Sequence, residues 1–333
     1  MSLHDFRGVK EPTKLLFQFL LAMFYILMTI PEFIYSLISP PPRKEIKDKI
    51  VLITGAGSGL GRELALEFVK RGSQVLCADI QNEPNEETVR MLNEIRQGSA
   101  KAYHVDIGNE ASVKELGKNV HRDFGKVDIL INNAGILTQF KILQTDITDE
   151  QIQRLFNINI TGHFRMVRAF LPDMVKRNQG HIVAISSMSS MTGVANASAY
   201  AASKWAVTGF MESLRRELDL NPHNQVKTTT VLPNFINTSP EYTKYMDTRL
   251  PILEPNYTAR KIISNIRRDT PIFSVPEELR FMLYITKLLP MKIQEYFLSY
   301  VFYFNWTTPE SQELVNVKNT SFKILSMGQA TGT

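Results

Sequence analysis

A tyrosine and a lysine four residues apart, Tyr200 and Lys204, have the types and spacing needed for proton transfer. On a helix this spacing places both side chains on one face, about one turn apart. A free phenol has a pKa of about 10, and a neighbouring ammonium group favours the phenolate and lowers that pKa. Tyr200 is therefore a candidate proton donor and acceptor near neutral pH.

Two further polar residues accompany this pair. Ser187 lies 13 residues before Tyr200, at the end of the apolar run 181–185, which we predict to be a strand. Asn159 lies within the segment 151–176, which we predict to be one helix. An asparagine inside a helix costs helix propensity, so its position suggests a local role.

A glycine-rich run, TGAGSGLG over residues 54–61, is the second feature with a clear chemistry. It follows a predicted strand at 49–53 and precedes a predicted helix at 62–71. Glycines allow a tight turn and close approach of a ligand, and the helix start offers free N–H groups and the positive end of its dipole. The run predicts a pyrophosphate cradle, and its expected cofactor contacts are Gly55, Ser58, Gly59, Leu60 and Gly61.

Two aspartates follow the next predicted strands. Asp79 comes 18 residues after Gly61, where a carboxylate can bind the ribose hydroxyls and repel a 2′-phosphate. Because residues 80–82 contain no arginine or lysine, NAD is favoured over NADP as the cofactor. Asp106 is expected at the adenine edge.

Strand and helix patterns alternate along the middle of the chain, which predicts an α/β fold with a Rossmann-like, doubly wound parallel sheet flanked by helices. Further strands are predicted at 74–78, 101–105, 129–131, 181–185 and 226–232, and helices at 111–124, 151–176 and 259–268. The polar candidates lie where strands end, and open α/β sheets bind ligands at that edge.

The order and spacing of these motifs over about residues 48–240 resemble the classical short-chain dehydrogenase/reductases. The resemblance implies that Tyr200 is the catalytic acid and base, that Ser187 holds the substrate oxygen, and that Asn159 orders a water. It further implies that Lys204 lowers the pKa of Tyr200 and binds the nicotinamide ribose. The segment Asn132-Asn133-Ala134-Gly135 matches a family element, which implies that Asn133, Ala134 and Gly135 line the cofactor pocket together with Tyr200 and Lys204.

One departure narrows the resemblance. Many members have Pro-Gly after the sixth strand, whereas this chain has Pro233-Asn234, as in a membrane-anchored subgroup of retinol and 17β-hydroxysteroid dehydrogenases. Pro233 is expected at the cofactor. A substrate loop at about 238–257 is expected to contribute Tyr242 and Tyr245, which would bind a lipophilic substrate together with Ser187 and Tyr200. The family also implies a homodimer built on the Tyr200 helix and its neighbour.

The flanks of the catalytic domain, expected at 46–306, are apolar. Residues 15–38 are read as a membrane anchor within an N-terminal segment 1–45, in preference to a signal peptide or a buried helix. Pro31 leaves an in-plane anchor as an alternative to a spanning helix. The hydrophobic extension at 278–306 is either a helical pair packed on the domain or a membrane-facing lip, and 307–333 is a polar tail.

Composition excludes several classes of function. The chain has 333 residues, a formal charge of +5 and one cysteine, Cys77, so no intrachain disulfide and no multi-cysteine metal site can form. The six histidines show no metal-ligand spacing, and no metal is expected. Nucleic acid is not expected as a partner, because no basic block interleaved with aromatic residues is present.

These features predict an NAD-dependent oxidoreductase that interconverts a lipophilic alcohol and its carbonyl, retinol and retinal being the first candidates. A 17β-hydroxysteroid or another lipid alcohol is the alternative substrate. A membrane or lipid-droplet scaffold with little activity is the alternative of another class. The expected location is the endoplasmic reticulum membrane or the lipid droplet, with the catalytic domain facing the cytosol because basic residues cluster after the anchor.

Overall fold

The computed structural model describes residues 12–39, 41–137, 148–238, 243 and 246–306, and the chain divides into two compact units, Met1–Lys44 and Glu45–Thr333. The first unit contains helix α1 (Pro12–Ile38). Among the residues that the structure describes, no helix combines the length and the apolar character that a membrane crossing requires. The N-terminal anchor stays a prediction.

The second unit is built on a parallel sheet of seven strands in the order β3-β2-β1-β4-β5-β6-β8. Its strands are β1 (Ile50–Thr54), β2 (Gln74–Asp79), β3 (Ala100–His104), β4 (Ile129–Asn132), β5 (Gly180–Ile185), β6 (Val226–Pro233) and β8 (Ile272–Val275). Two short strands, β7 (Met246–Thr248) and β9 (Phe304–Trp306), pair antiparallel beside it. The strand order reverses between β1 and β4, which is where such sheets open a ligand crevice.

Helices cover both faces of the sheet, so the central strands are apolar on both sides. These helices are α2 (Gly59–Lys70), α3 (Asn82–Ile95), α4 (Glu110–Phe124), α5 (Asp149–Phe156), α6 (Gly162–Lys176), α7 (Ser198–Asp219), α8 (Pro255–Ile266), α9 (Glu277–Thr286) and α10 (Met291–Val301). Val51 and Ile53 of β1 pack with α2 and α8 on one face, whereas Leu52 packs with α4, α6 and α7 on the other. Cys77 of β2 is fully buried, and burial raises the pKa of its thiol to about 12.

The predicted parallel α/β sheet is confirmed, with two differences. The helix predicted over 151–176 is interrupted by a π-helical turn, Asn157–Thr161, between α5 and α6. Strand β8 was not predicted from the sequence, because its four residues lie between Pro271 and Pro276, and prolines at such spacing are typical of turns.

The C-terminal extension forms two helices that separate at Pro290, with one side packed and one side exposed. Leu279 and Leu283 of α9 pack into a small core cluster with Leu232 of β6. The opposite side exposes a set of residues that we call the C-terminal apolar surface. It consists of Phe281, Tyr284, Ile285, Leu288, Met291, Ile293, Tyr296 and Tyr300.

Candidate active site

The glycine-rich loop connects β1 to α2 at the switch point of the sheet. Gly55 and Gly59 have positive φ angles of 67° and 53°, a region that favours glycine. A Cβ on Gly61 would lie 1.9 Å from the Gly55 carbonyl oxygen, so this position requires glycine. Ser58 precedes α2 in an extended conformation without capping it through its side chain, which leaves the first N–H groups of α2 for an anion. The Leu60 side chain packs into the core, so its predicted cofactor contact is restricted to its backbone.

The Asp79 carboxylate is fixed beneath this loop. Its Oδ2 accepts a hydrogen bond from the Gly57 N–H at 2.8 Å, and its Oδ1 accepts one from the Gln81 N–H at 2.9 Å. The nearby Arg62 guanidinium donates to the Gly57 carbonyl at 2.6 Å and pairs with Glu87 at 2.8 Å. Arg62 is thus engaged with α3, and the end of β2 presents a carboxylate.

Thr54 joins the loop to the end of β4, a role that the sequence analysis missed. Its hydroxyl oxygen accepts hydrogen bonds from the N–H groups of Asn133 and Ala134, both at 3.0 Å. The Asn133 side-chain amide in turn donates to the carbonyls of Thr54 at 2.9 Å and Gly55 at 3.2 Å. A threonine ending a strand gives no signal by itself, because its partners lie about eighty positions away in the chain.

The remaining predicted cofactor residues lie along the same edge of the sheet. Asp106 follows β3, and its Oδ1 accepts a hydrogen bond from the Gly108 N–H at 2.8 Å. Pro233 is the last residue of β6, in register with Val275 of β8. Gly135 follows Asn133 and Ala134, and a Cβ there would lie 3.6 Å from the Lys204 Nζ. This proximity connects the cofactor edge with the predicted catalytic tetrad of Asn159, Ser187, Tyr200 and Lys204.

Three of the four predicted catalytic side chains meet between β5 and α7. The Ser187 side chain interacts with the Tyr200 phenol in a way that favours its ionised form. The Lys204 Nζ lies 5.6 Å from the centre of the Tyr200 ring and donates to the Ile185 carbonyl at 2.9 Å. The neighbouring Ser186 hydroxyl instead donates to the Lys204 carbonyl at 3.0 Å, so Ser187 is the serine that faces the phenol.

Asn159 lies in the π-helical turn and is fully buried. Its Oδ1 accepts from the Ile136 N–H at 2.8 Å, and its Nδ2 donates to the Ile136 carbonyl at 2.9 Å and to the Ser203 hydroxyl at 3.1 Å. The side chain therefore connects the strand following β4 to the residue next to Lys204. These hydrogen bonds offset the low helix propensity of asparagine at this position.

The acid–base properties of the free chain differ from the sequence expectation in one respect. Burial raises the pKa of the Tyr200 phenol to about 12, and the hydrogen bond from Ser187 acts in the opposite direction. Burial also lowers the pKa of Lys204 to about 8. In the chain alone, desolvation of the phenol therefore sets the direction of the shift, and the lowering of the Tyr200 pKa by Lys204 together with a bound nicotinamide stays a prediction.

The two tyrosines predicted to contact the substrate, Tyr242 and Tyr245, lie outside the described residues. The described part of that loop is attached to the domain at two places. The Thr243 hydroxyl donates to the Asn237 side chain at 2.9 Å, and the Leu253 N–H donates to the Phe235 carbonyl at 2.8 Å.

Among the described residues, no cluster of three or more histidines, cysteines or carboxylates is placed to hold a metal ion.

Comparison with known proteins agrees with this geometry. Residues 49–247 match the family model of the short chain dehydrogenases. The chain is 40% identical over 284 residues to epidermal retinol dehydrogenase 2 of Homo sapiens, covering 85% of this chain and 90% of the relative. It is 35% identical over 277 residues to 17-beta-hydroxysteroid dehydrogenase 13 of Homo sapiens, covering 83% and 91% of the two chains.

A solved structure shares the fold. It is a short chain dehydrogenase/reductase from Burkholderia phymatum in complex with NAD, 23% identical, which superposes with a TM-score of 0.65 over 73% of this chain and 94% of that one. The family model covers more than half of the chain, and the relatives are similar over most of their length. The chain therefore belongs to the short-chain dehydrogenase family and is an oxidoreductase of that family.

Proposed function

We propose that this chain is an NAD-dependent oxidoreductase that interconverts a lipophilic alcohol and its carbonyl, with retinol and retinal as the first candidate pair. The observation that carries the proposal is the meeting of Tyr200, Ser187 and Lys204 beside the glycine-rich cradle. A proton-transfer group and a dinucleotide site at the same sheet edge are what hydride transfer to and from an alcohol requires.

The residues at this edge fit a nicotinamide dinucleotide. The loop at 55–61 leaves no space for a Cβ at position 61. The Asp79 carboxylate is held against this loop by the hydrogen bond from the Gly57 N–H. When bound, the cofactor accepts a hydride from the alcohol or supplies one to the carbonyl. The residues that would hold it are Gly55, Ser58, Gly59, Leu60, Gly61, Asp79, Asp106, Asn133, Ala134, Gly135, Tyr200, Lys204 and Pro233.

The chain's own residues manage the proton. In alcohol oxidation the Tyr200 phenolate accepts the hydroxyl proton of the substrate, and in carbonyl reduction the phenol returns it. Ser187 donates a hydrogen bond to the substrate oxygen. The Lys204 ammonium favours the phenolate, and Asn159 keeps the segment behind Lys204 in place through Ser203.

Asp79 gives a direct test of cofactor choice. Replacing Asp79 with Asn removes the charge but keeps an oxygen for the Gly57 N–H. We expect the ratio of kcat/KM for NAD over NADP to fall about tenfold or more, since repulsion of a 2′-phosphate disappears. Steady-state kinetics with both cofactors measure this ratio. Glu86→Gln, which removes an exposed carboxylate on α3, is the matched control, and an unchanged ratio in Asp79→Asn would contradict the assignment.

The lipophilic substrate is supported by the relatives and by the surface. The two human relatives are named as a retinol dehydrogenase and a 17-beta-hydroxysteroid dehydrogenase. The C-terminal apolar surface, on which Leu288 is 85% exposed, suits an enzyme whose substrate partitions into lipid. A 17β-hydroxysteroid or another lipid alcohol is the second candidate, because steroid dehydrogenase relatives are nearly as similar to this chain.

The test is cofactor turnover by membranes that contain the full chain, supplied separately with all-trans-retinol, estradiol and a long-chain alcohol, each with NAD or NADP. Retinal formation with NAD that is lost in Tyr200→Phe supports the proposal. Turnover of the steroid alone retains the mechanism and changes the substrate. A folded, cofactor-binding chain that turns over none of these substrates would favour the scaffold alternative, which the intact Ser187, Tyr200 and Lys204 otherwise disfavour.

We also propose that the protein binds the endoplasmic reticulum membrane or the lipid-droplet surface, with its catalytic unit facing the cytosol. Deletion of residues 1–39 is expected to release most of the protein from membranes, because the apolar segment 15–38 is lost. Flotation of membranes on a density gradient measures the bound fraction. Complete retention would contradict this prediction. In that case, loss of binding on a further Phe281→Asp and Leu288→Asp change would assign anchoring to the C-terminal apolar surface.

A homodimer is part of the same proposal. It would form on α7, which carries Tyr200, and on the neighbouring α6. Phe164 on α6 and Trp205 on α7 are 42% and 47% exposed, so these helices leave apolar area for a second copy.

A further inference from the structure

Two polar side chains buried behind the tetrad have no role in the proposed mechanism. His163 on α6 and Asn132 at the end of β4 are each 1% exposed. Neither ring nitrogen of His163 and neither polar side-chain atom of Asn132 completes a hydrogen bond of ordinary geometry within the described part of the chain. Buried polar groups in native proteins nearly always have partners, often ordered water, so this pair requires an explanation.

Both side chains lie in the layer between the sheet and α6. Leu130 of β4 belongs to the core cluster on this side, so Asn132, two residues later, faces the same way. His163 lies on the buried face of α6, three residues before Met166 of that cluster. Two side chains with unused hydrogen-bonding capacity therefore share one apolar layer.

The Lys204 ammonium reaches this layer from α7. Its Nζ donates to the carbonyl of Ile185, which ends the strand beside Asn132. Burial and the charge of Lys204 lower the pKa of the His163 imidazole to about 3, with the Ala134 backbone acting in the opposite direction. The ring is therefore neutral at physiological pH, and one of its nitrogens is an acceptor near an ammonium that has donors to spare.

We propose that His163, together with Asn132, is a positioning residue for Lys204, and that the two side chains hold ordered water against its ammonium from the side of the sheet. This inference rests on the proposed function, because its purpose is to keep Lys204 charged and close to the Tyr200 phenol. Neutral acceptors solvate a buried ammonium without the repulsion that a second cation would add. An apolar residue at either position would remove that solvation.

The expected effect is on the proton-transfer step. In His163→Leu, Lys204 loses acceptors, its charged form becomes less favourable, and Tyr200 ionises at higher pH. We expect kcat for alcohol oxidation at neutral pH to fall about tenfold or more. The acid limb of the pH profile should move upward by about one pH unit. The titratable groups at this place are Tyr200 and Lys204 of α7, while β4 adds the uncharged Asn132 and β5 the Ile185 carbonyl.

The experiment compares His163→Leu, His163→Gln and Asn132→Val with Met166→Leu, a matched apolar change on the same face of α6. For each full-length variant, kcat, the KM for NAD, the pH profile and the melting temperature are measured. The proposal expects a lower kcat and a shifted profile in His163→Leu, a nearly unchanged KM for NAD, no loss of melting temperature, and partial recovery in His163→Gln. Asn132→Val should show the same shift to a smaller extent.

Two results would overturn the proposal. One is a pH profile of His163→Leu that superimposes on that of the wild type. The other is a loss of kcat that follows the melting temperature across all four variants, Met166→Leu included, which would indicate a packing role. If His163→Leu fails to fold, His163→Gln and Asn132→Val decide by the same criteria. Absence of turnover in the wild-type chain would instead contradict the proposed function.

Discussion

Replacing Tyr200 with phenylalanine is expected to lower kcat for alcohol oxidation by about a thousandfold, within the range attributed to general acid–base groups. The substitution removes the oxygen that exchanges the proton while keeping the ring that packs at the start of α7. Ser187, whose side chain interacts with the phenol, keeps its hydrogen bond from the Ser189 N–H at 3.2 Å. The KM for NAD should change much less than kcat, because the aromatic ring stays in place beside the cofactor site. Turnover of the preferred alcohol by membranes containing each variant measures the loss.

The control for this change is Tyr103→Phe. The Tyr103 phenol of β3 donates to Asp123 of α4 at 2.8 Å, away from the predicted catalytic residues, so both variants lose one phenolic hydroxyl. A lost hydrogen bond costs about 1 kcal/mol of unfolding free energy, which leaves each chain folded. Equal activity loss in the two variants would show that the effect at position 200 is structural and not catalytic.

The pH dependence of the reaction is a second way to recognise the effect of Tyr200→Phe. In the free chain the pKa of Tyr200 is about 12, so the active phenolate is scarce until a positive group approaches. Wild-type oxidation should therefore rise with pH, with a midpoint in the cofactor complex below that value. The residual activity of Tyr200→Phe should lack this dependence.

Replacing Gly61 with alanine is the second change with a large expected effect. The new Cβ would lie 1.9 Å from the Gly55 carbonyl oxygen and 2.7 Å from the Asn133 Nδ2. The first contact is with backbone, so the start of α2 or the glycine-rich loop must move. We expect about a hundredfold weaker NAD binding and a loss of about 1–3 kcal/mol in unfolding free energy, the usual cost of overpacking.

Gly117→Ala on α4 is the matched substitution. A Cβ there would meet the Ala169 Cβ at 4.0 Å, an ordinary contact. An alanine inside a helix is more favourable than glycine by about 1 kcal/mol, so this variant should be as stable as the wild type or more so. Calorimetric titration with NAD and thermal unfolding measure both effects. Wild-type NAD affinity in Gly61→Ala would rule out the loop as the pyrophosphate cradle.

Local signals account for most of what the sequence predicted. The glycine-rich loop, the Tyr200–Lys204 spacing and the strand ends at Asp79 and Asp106 are each visible within a few residues of chain. The C-terminal extension forms two helices that separate at Pro290, while its role as a packed helical pair or a membrane-facing lip stays a prediction. Parallel strands bring their carboxyl ends to one edge, so locating each strand was enough to group the candidate residues.

Long-range contacts explain what the sequence could not provide. Thr54 acquires its role from Asn133 and Ala134, which meet it only after β1 and β4 pair. The burial that raises the Tyr200 pKa depends on the whole neighbourhood of α7 and has no local signature. No local pattern singles out His163, because its burial and its interaction with the charge of Lys204 depend on how distant segments pack.

The burial of Cys77 has a practical consequence for experiments on this protein. The thiolate is the reactive form of cysteine, and a fully buried thiol whose pKa is about 12 stays protonated and out of reach of reagents. The chain has no other cysteine, so we expect the native protein not to react with maleimide labels. A cysteine introduced at Leu288 would then carry a fluorophore or spin label at one defined position. That label would report on the surroundings of the C-terminal helices in the full chain, without first removing a native thiol.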